Sequence, residues 1–190
     1  MTLALVLIAI FIIFDIWVVI VAYNRLVKLD QAANQAFADI DVQLKQRQDL
    51  IPNLVETVKG YAEHERGTLE SVIQARAAAT GATSVEDKVQ ADNMLTAALG
   101  RLFALSEAYP DLKANTNFQQ LQMDLSDIEN KLAAARRFFN NSVNEFNASR
   151  RQFPTVVVAG LFGFGQDKSF FDVGAAERAS LTAAAPAVKF

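Results

Sequence analysis

The sequence predicts an all-α fold: an N-terminal transmembrane helix continues into a long antiparallel up-and-down four-helix bundle, with an irregular Phe/Gly-rich C-terminal segment. Three observations predict it. Residues 3–22 read LALVLIAIFIIFDIWVVIVA, with Asp15 as their only charge. Beyond them, apolar residues recur at steps of three and four, the period of a helix with one buried face. The 190-residue chain also has no cysteine and a net charge of −3. That excludes disulfides and Cys-ligated clusters, and it argues against a nucleic-acid partner, which would require a basic face.

Twenty helical residues at about 1.5 Å each match the roughly 30 Å hydrocarbon core of a bilayer. Fifteen of these twenty are Leu, Ile, Val or Phe. At about −0.3 to −0.6 kcal/mol each they outweigh about +3 kcal/mol for a central Asp. A cleaved signal peptide would show a basic start, a shorter apolar run and a small-x-small site. The run instead lacks preceding bases and leads into Tyr23-Asn24-Arg25, so a retained single-pass anchor is expected. Arg25 and Lys28 come after the span, and the positive-inside rule places the bundle in the cytoplasm. With only two charges voting, a periplasmic bundle stays open. Asp15 is expensive in hydrocarbon and should face a protein partner or water. A single span offers none of its own, so Asp15 marks contact with a second copy or another membrane protein. The alternative is a protonated, tolerated carboxyl group.

The divisions expected are an anchor at 1–22, a bundle at 23–151, an apolar Phe/Gly-rich segment at 152–174 and a tail at 175–190. Leu26, Leu29, Ala33, Ala36, Phe37, Ile40 and Leu44 carry the first helix straight out of the membrane. Proline is accepted in a helix's first turn and disruptive inside it. Pro52, with Asp49 as an N-cap upstream, therefore predicts a reversal at Gln48-Asp49 and a second helix from Leu50 to about Thr80-Gly81. A kinked continuous helix is the alternative. Ser84-Val85-Glu86-Asp87 resembles a capping box opening a third helix, which stops at Tyr109-Pro110-Asp111. Thr116-Asn117-Phe118-Gln119 opens a fourth of about 35 residues, with a heptad seam at Phe118, Leu121, Leu125, Ile128, Leu132, Ala135, Phe139 and Phe146, Ser142 out of class. Up-down-up-down order returns its C-terminal end to bilayer level. Phe153, Val157, Leu161, Phe162, Phe164, Phe170 and Phe171 come next, in a stretch too short and Gly-broken to span. Three neighbouring valines also allow a short strand. The segment either touches the membrane surface or a neighbouring subunit, or folds back along its own bundle. Val188-Lys189-Phe190 could pack again at the end of the tail.

No enzymatic constellation is found. A di-iron bundle needs two Glu-x-x-His pairs, yet His64 is the single histidine and Tyr61 stands three before it. His64-Glu65 begins like a zincin helix, but Thr68 replaces the second His. Gly160, Gly163 and Gly165 lack the following Lys-Ser/Thr or strand–helix setting of a phosphate loop. No cofactor or metal is expected. Asp41, Gln43, Lys45, Arg47, Asp49 and Asn53 form a polar group in the first hairpin, with Asp41 and Lys45 four apart on one face. This group is either a solvated face or a hydrogen-bonded network that fixes helix register or contacts a second protomer.

Several runs together resemble the LemA family of bacterial membrane proteins. They are Tyr23-Asn24 with Leu26-Val27; Ile40–Lys45 with Arg47; Asp49–Val55; Lys59–Ala62; His64-Glu65; Glu107–Asn115; Ala134–Phe138 with Asn140; Phe153-Pro154; Ala159–Phe164; and Phe170-Phe171. Phe37 stands where a tryptophan is common and Gln46 where a base is common. The resemblance implies an anchored four-helix domain facing the cytoplasm or envelope, in the bacterial cell membrane, and it supplies no activity. One branch of that family is associated with magnetosome membranes, an analogy of weak functional warrant. The expectation is a non-enzymatic scaffold, in contact with lipid and self-associating, for membrane or envelope organisation. The alternative is an anchored adaptor or signalling partner that binds another protein.

Overall fold

A computed structural model describes residues 2–62 and 64–171. The described chain is helical: α1 Thr2–Lys59, α2 Arg66–Gly81, α3 Val85–Ser106, α4 Pro110–Ala114, α5 Thr116–Arg151 and α6 Thr155–Leu161. Its described residues divide into two compact units, one made of 2–40 with 134–170 and one made of 41–133 with Phe171. Helices α1 and α5 contribute to both. The expected tail, with the packing of Val188-Lys189-Phe190, lies outside the described residues.

In the second unit the stripes of four helices meet. Ile51, Leu54 and Val58 of α1 pack with Val72 and Ala75 of α2, Leu95, Leu99 and Leu102 of α3, and Phe118 and Leu125 of α5. Contacts along the helices fix their directions. Arg76 of α2 reaches Gln48, whereas the α1–α2 turn joins Lys59 to Arg66, so α2 runs against α1. Asp41 meets Lys88 and Arg47 meets Asp92, so α3 runs with α1. Arg47 meets Glu129 while Tyr61 meets Asn115, so α5 runs against α1. The second unit is an up-down-up-down four-helix bundle.

In the first unit α5 again runs against α1. Phe37 and Phe139 lie ring to ring at 5.4 Å, and Ala22 and Leu26 share a core with Phe146. The seam of α5 is its packed face throughout: Phe118, Leu125, Ile128, Leu132, Phe139 and Phe146 are buried, and so is Ser142, whose hydroxyl donates to the Phe138 carbonyl at 3.0 Å.

The reversal expected at Gln48-Asp49 is not there. Helix α1 runs through Pro52 to Lys59, and the turn falls at 60–65. A mid-helix proline removes one N–H and orphans the carbonyl four residues back. Here that carbonyl belongs to Gln48, and Arg76 Nε donates to it at 2.9 Å from α2. Asp49, expected as an N-cap, instead accepts from Lys45 at 2.6 Å. The polar group of residues 41–53 therefore lies along one helix and not around a hairpin. Two further details differ. Helix α3 ends at Ser106, short of Tyr109, and Pro110 opens the additional helix α4 from its first turn. The side chain capping α5 is Asn115, whose Oδ1 accepts from Phe118 N–H at 3.0 Å, one residue before the Thr116 box. The Ser84 cap is present, with Oγ accepting from Asp87 N–H at 3.0 Å. The valine run forms helix α6 and no strand.

If Arg76 substitutes for the proline's missing donor, Arg76→Ala lowers stability by about 1–2 kcal/mol. In a Pro52→Ala background, where residue 52 regains its N–H, the same change costs less than half as much. Urea unfolding of the full chain in mild detergent, followed by circular dichroism, reads both; equal losses in the two backgrounds refute the role.

Candidate functional site

Three places carry residues that packing alone does not explain. The first is the apolar start of α1. It is long and apolar enough to cross a membrane, and its most apolar window has no buried residue. Leu3, Phe11, Ile13 and Trp17 are all exposed. Asp15 sits exposed among them, with no ion pair or hydrogen bond to any described residue.

The second is a buried polar centre in the second unit. Leu44, Ile51, Leu54 and Val58 belong to the inward stripe of α1, and Arg47 occupies the place between Leu44 and Ile51. On α3, Asp92 likewise lies in line with Leu95, Leu99 and Leu102. Each is almost wholly buried, at 2% and 3% exposure. Arg47 Nη1 donates to Asp92 Oδ1 at 2.6 Å and to Thr96 Oγ1 at 3.0 Å, while Nη2 donates to Glu129 Oε2 at 3.3 Å. One guanidinium thus joins α1, α3 and α5. Arg47 Nε and the buried Gln43 Oε1 find no hydrogen-bond partner among the described residues. Around this centre Asp41 accepts from Lys88 at 2.6 Å. Lys45 turns to Asp49 and not to Asp41, and Asn53 is exposed. So Arg47 faces the core and Gln43 turns its Oε1 inward, Asp41 sits partly exposed beside Lys88, and Lys45, Asp49 and Asn53 form a solvated face.

Sequence reasoning misses Asp92, Thr96, Glu129 and Lys88. A usable signal exists for Asp92: it takes a slot in an apolar stripe, as Arg47 does with the opposite charge. Two lone opposite charges in facing stripes are partners, because neither is tolerable alone in a core.

The third place is the Phe/Gly-rich segment, described within the first unit to Phe170. Val158 and Ala159 pack on Ala22 and Leu26. The rings of Phe162 and Phe164 lie 5.3 and 6.0 Å from that of Tyr23. Gly163 takes φ 86°, a left-handed conformation that favours glycine and reverses the chain between those two rings. Polar contacts pin the segment. Arg150 Nε donates to the Phe164 carbonyl at 2.9 Å, and both Arg150 and Arg151 pair with Asp167. Lys168 Nζ pairs with Asp30 at 2.8 Å, and Asn147 exchanges two hydrogen bonds with the Lys168 backbone. The other side of the segment is uncovered: Phe153 is 84% and Leu161 76% exposed, with Val157, Phe162 and Phe170 about half so. Phe171, assigned to the second unit, is buried.

Among the described residues no three His, Cys, Asp or Glu side chains gather as a metal site would require. His64 is exposed in the α1–α2 turn. That turn is tied down by Asn115 Nδ2 donating to Tyr61 Oη at 2.9 Å and Tyr109 Oη donating to Glu65 at 3.4 Å.

Removing one member of the buried pair strands the other. Arg47→Met should cost about 3–5 kcal/mol, and adding Asp92→Leu should recover most of it. Thermal unfolding in detergent measures both. A double variant no more stable than the single one would show that the pair does not act as a unit.

The chain has known relatives. It is 24% identical over 187 residues to the magnetosome protein MamQ of Magnetospirillum gryphiswaldense, covering 84% of this chain and 68% of that protein. It is 28% identical over 141 residues to the protein LemA of Metamycoplasma hominis, covering 72% of this chain and 63% of the relative. MamQ 2 of Paramagnetospirillum magneticum is 20% identical over 186 residues, covering 84% of this chain and 68% of that protein. The model of the LemA family matches residues 36–190, which takes in most of α1 beyond the apolar span and every later helix, so the chain belongs to the LemA family.

Proposed function

We propose that this protein is a non-enzymatic, single-pass membrane scaffold that self-associates through its anchor and serves membrane or envelope organisation. One observation carries the reading: an exposed apolar helix of membrane-spanning length holds one carboxylate, and nothing else in the described chain reaches it. In a bilayer, a central Asp costs about 2.5–3.5 kcal/mol, a cost lowered when the group meets another protein's polar group or shared water. A second copy of the same helix brings an identical carboxyl group to the same depth. Each side chain then has a polar neighbour in place of hydrocarbon. Copies joined this way array their helical bundles at one membrane surface. The relatives named for the magnetosome, a membrane compartment, support a role at membranes. The buried charges of the bundle, Arg47 and Asp92, join one helix to another, which supports a structural role over a catalytic one.

Alkaline carbonate should leave the full chain in the membrane fraction. Gentle detergent extraction followed by particle imaging should show homomeric assemblies. Asp15→Leu should still insert but shift the distribution towards monomer by roughly tenfold in the association constant, the equivalent of about 1.4 kcal/mol. Unchanged assembly size in the variant removes Asp15 from the interface. Monomers that co-purify with one other protein favour the adaptor reading instead.

A further inference from the structure

We infer that the uncovered side of α6 and its flanking phenylalanines is a second membrane contact, a monotopic foot lying in the headgroup boundary of the same leaflet from which α1 emerges. The inference rests on the anchored reading of α1. Continuity identifies its occupant. Helix α6 packs on Ala22 and Leu26, the turn where the apolar span ends, and Phe162 touches Tyr23. At that level Ile20, Val21 and Tyr23 of α1 are themselves exposed. The outward side chains of Phe153, Val157, Leu161 and Phe162 extend that apolar surface sideways from the span. A bilayer that accommodates the span covers them without any additional partner.

Charge is arranged to match. One of the segment's ion pairs lies farther from the span: Lys168 meets Asp30, eight residues and so about 12 Å along α1 beyond Ala22. Between the two levels stand Arg25 and Lys28, both exposed and without an ion pair among the described residues. Apolar and aromatic groups at one level with free cations just above them fit an acyl–headgroup boundary carrying anionic lipid. A second protein copy would need a complementary patch, and nothing selects one.

The chain has no cysteine, so single-cysteine variants of the full protein can each carry one environment-sensitive fluorophore. Phe11→Cys, Leu161→Cys, Phe162→Cys and Phe138→Cys are reconstituted into phosphatidylcholine–phosphatidylglycerol vesicles with and without lipids bearing a spin-label quencher at a shallow or a deep acyl position. Phe138 is exposed and apolar like the others, but it adjoins Phe139, level with Phe37 and about 22 Å along α1 beyond Ala22. Expected is roughly twofold or greater quenching by lipid at positions 11, 161 and 162 and little at 138, given apolar faces sunk about 5–10 Å into the boundary. Quenching at 161 and 162 by aqueous iodide in its place overturns the foot while position 11 keeps the anchor standing. Protection from both quenchers that depends on protein density assigns the face to a second copy and also overturns it. Equal lipid quenching at 138 refutes the assigned depth. No lipid quenching at position 11 overturns anchor and foot together.

Discussion

Helix α1 runs through Pro52 with Arg76 of α2 donating to the Gln48 carbonyl that the proline leaves without its helical partner, and much of the second unit depends on that continuity. A proline ring both withholds a donor and pushes the carbonyl four residues back out of line. At an exposed site water would take the carbonyl, and the helix would kink. Here the carbonyl faces α2, and Arg76 Nε meets it at 2.9 Å. Because the helix does not restart at residue 50, Leu44, Arg47, Ile51, Leu54 and Val58 remain on one stripe with one phase. A new helix beginning at Leu50 would have set its own phase, leaving no reason for Arg47 and Ile51 to face the same core.

Given that register, the Arg47–Asp92 pair decides how α1 and α3 meet. Stripes of Ala, Leu and Val are nearly indifferent to a slip of one turn, about 5.4 Å, because one apolar contact replaces another. A buried guanidinium and carboxylate are not indifferent. A slip breaks a bond of 2.6 Å and leaves two uncompensated charges in a core. The planar fork of arginine adds direction, since its second nitrogen reaches Glu129 on α5 while the first holds Asp92 and Thr96. Such a pair adds little net stability compared with apolar residues of similar volume. What it supplies is discrimination among near-equivalent packings, and three helices share it.

Features whose cause lies within a few residues are legible in the sequence. The apolar start of α1 shows in twenty consecutive residues, the stripes in their period, and the α3 start in Ser84 with its free N–H three residues on. The seam of α5 is legible over its whole length because the same heptad face is buried in both units. Pro52 misleads because its consequence depends on Arg76, twenty-four residues away, and no local rule contains that donor. Asn115 escapes a sequence reading because Thr116-x-x-Gln119 is the stronger written pattern, yet both residues can cap and backbone geometry chooses between them. At the polar centre Arg47 stands out in sequence for its crowd of polar neighbours, most of which prove to be solvated. The better clue is its position in the stripe, and only that clue points to Asp92.

The Phe/Gly-rich segment raises a choice between folding back and facing outward, and a short helix does not have to choose. Val156, Val157, Val158, Ala159 and Leu161 give α6 apolar side chains nearly all round, the signature of an element with no side meant for water. Its own chain covers the half that carries Val158 and Ala159. Gly163 lets Phe164 return to Tyr23, and the pairs of Arg150, Arg151 and Lys168 clamp the residues beyond it. That is many fixed contacts for a loop, and they hold the bare half in one orientation. Fixing an apolar face outward is unfavourable in water, because the face can neither collapse inward nor be hidden by motion of the loop. It becomes favourable where a second apolar phase begins at the same level, and α6 packs on Ala22, the last residue of the apolar stretch that opens α1.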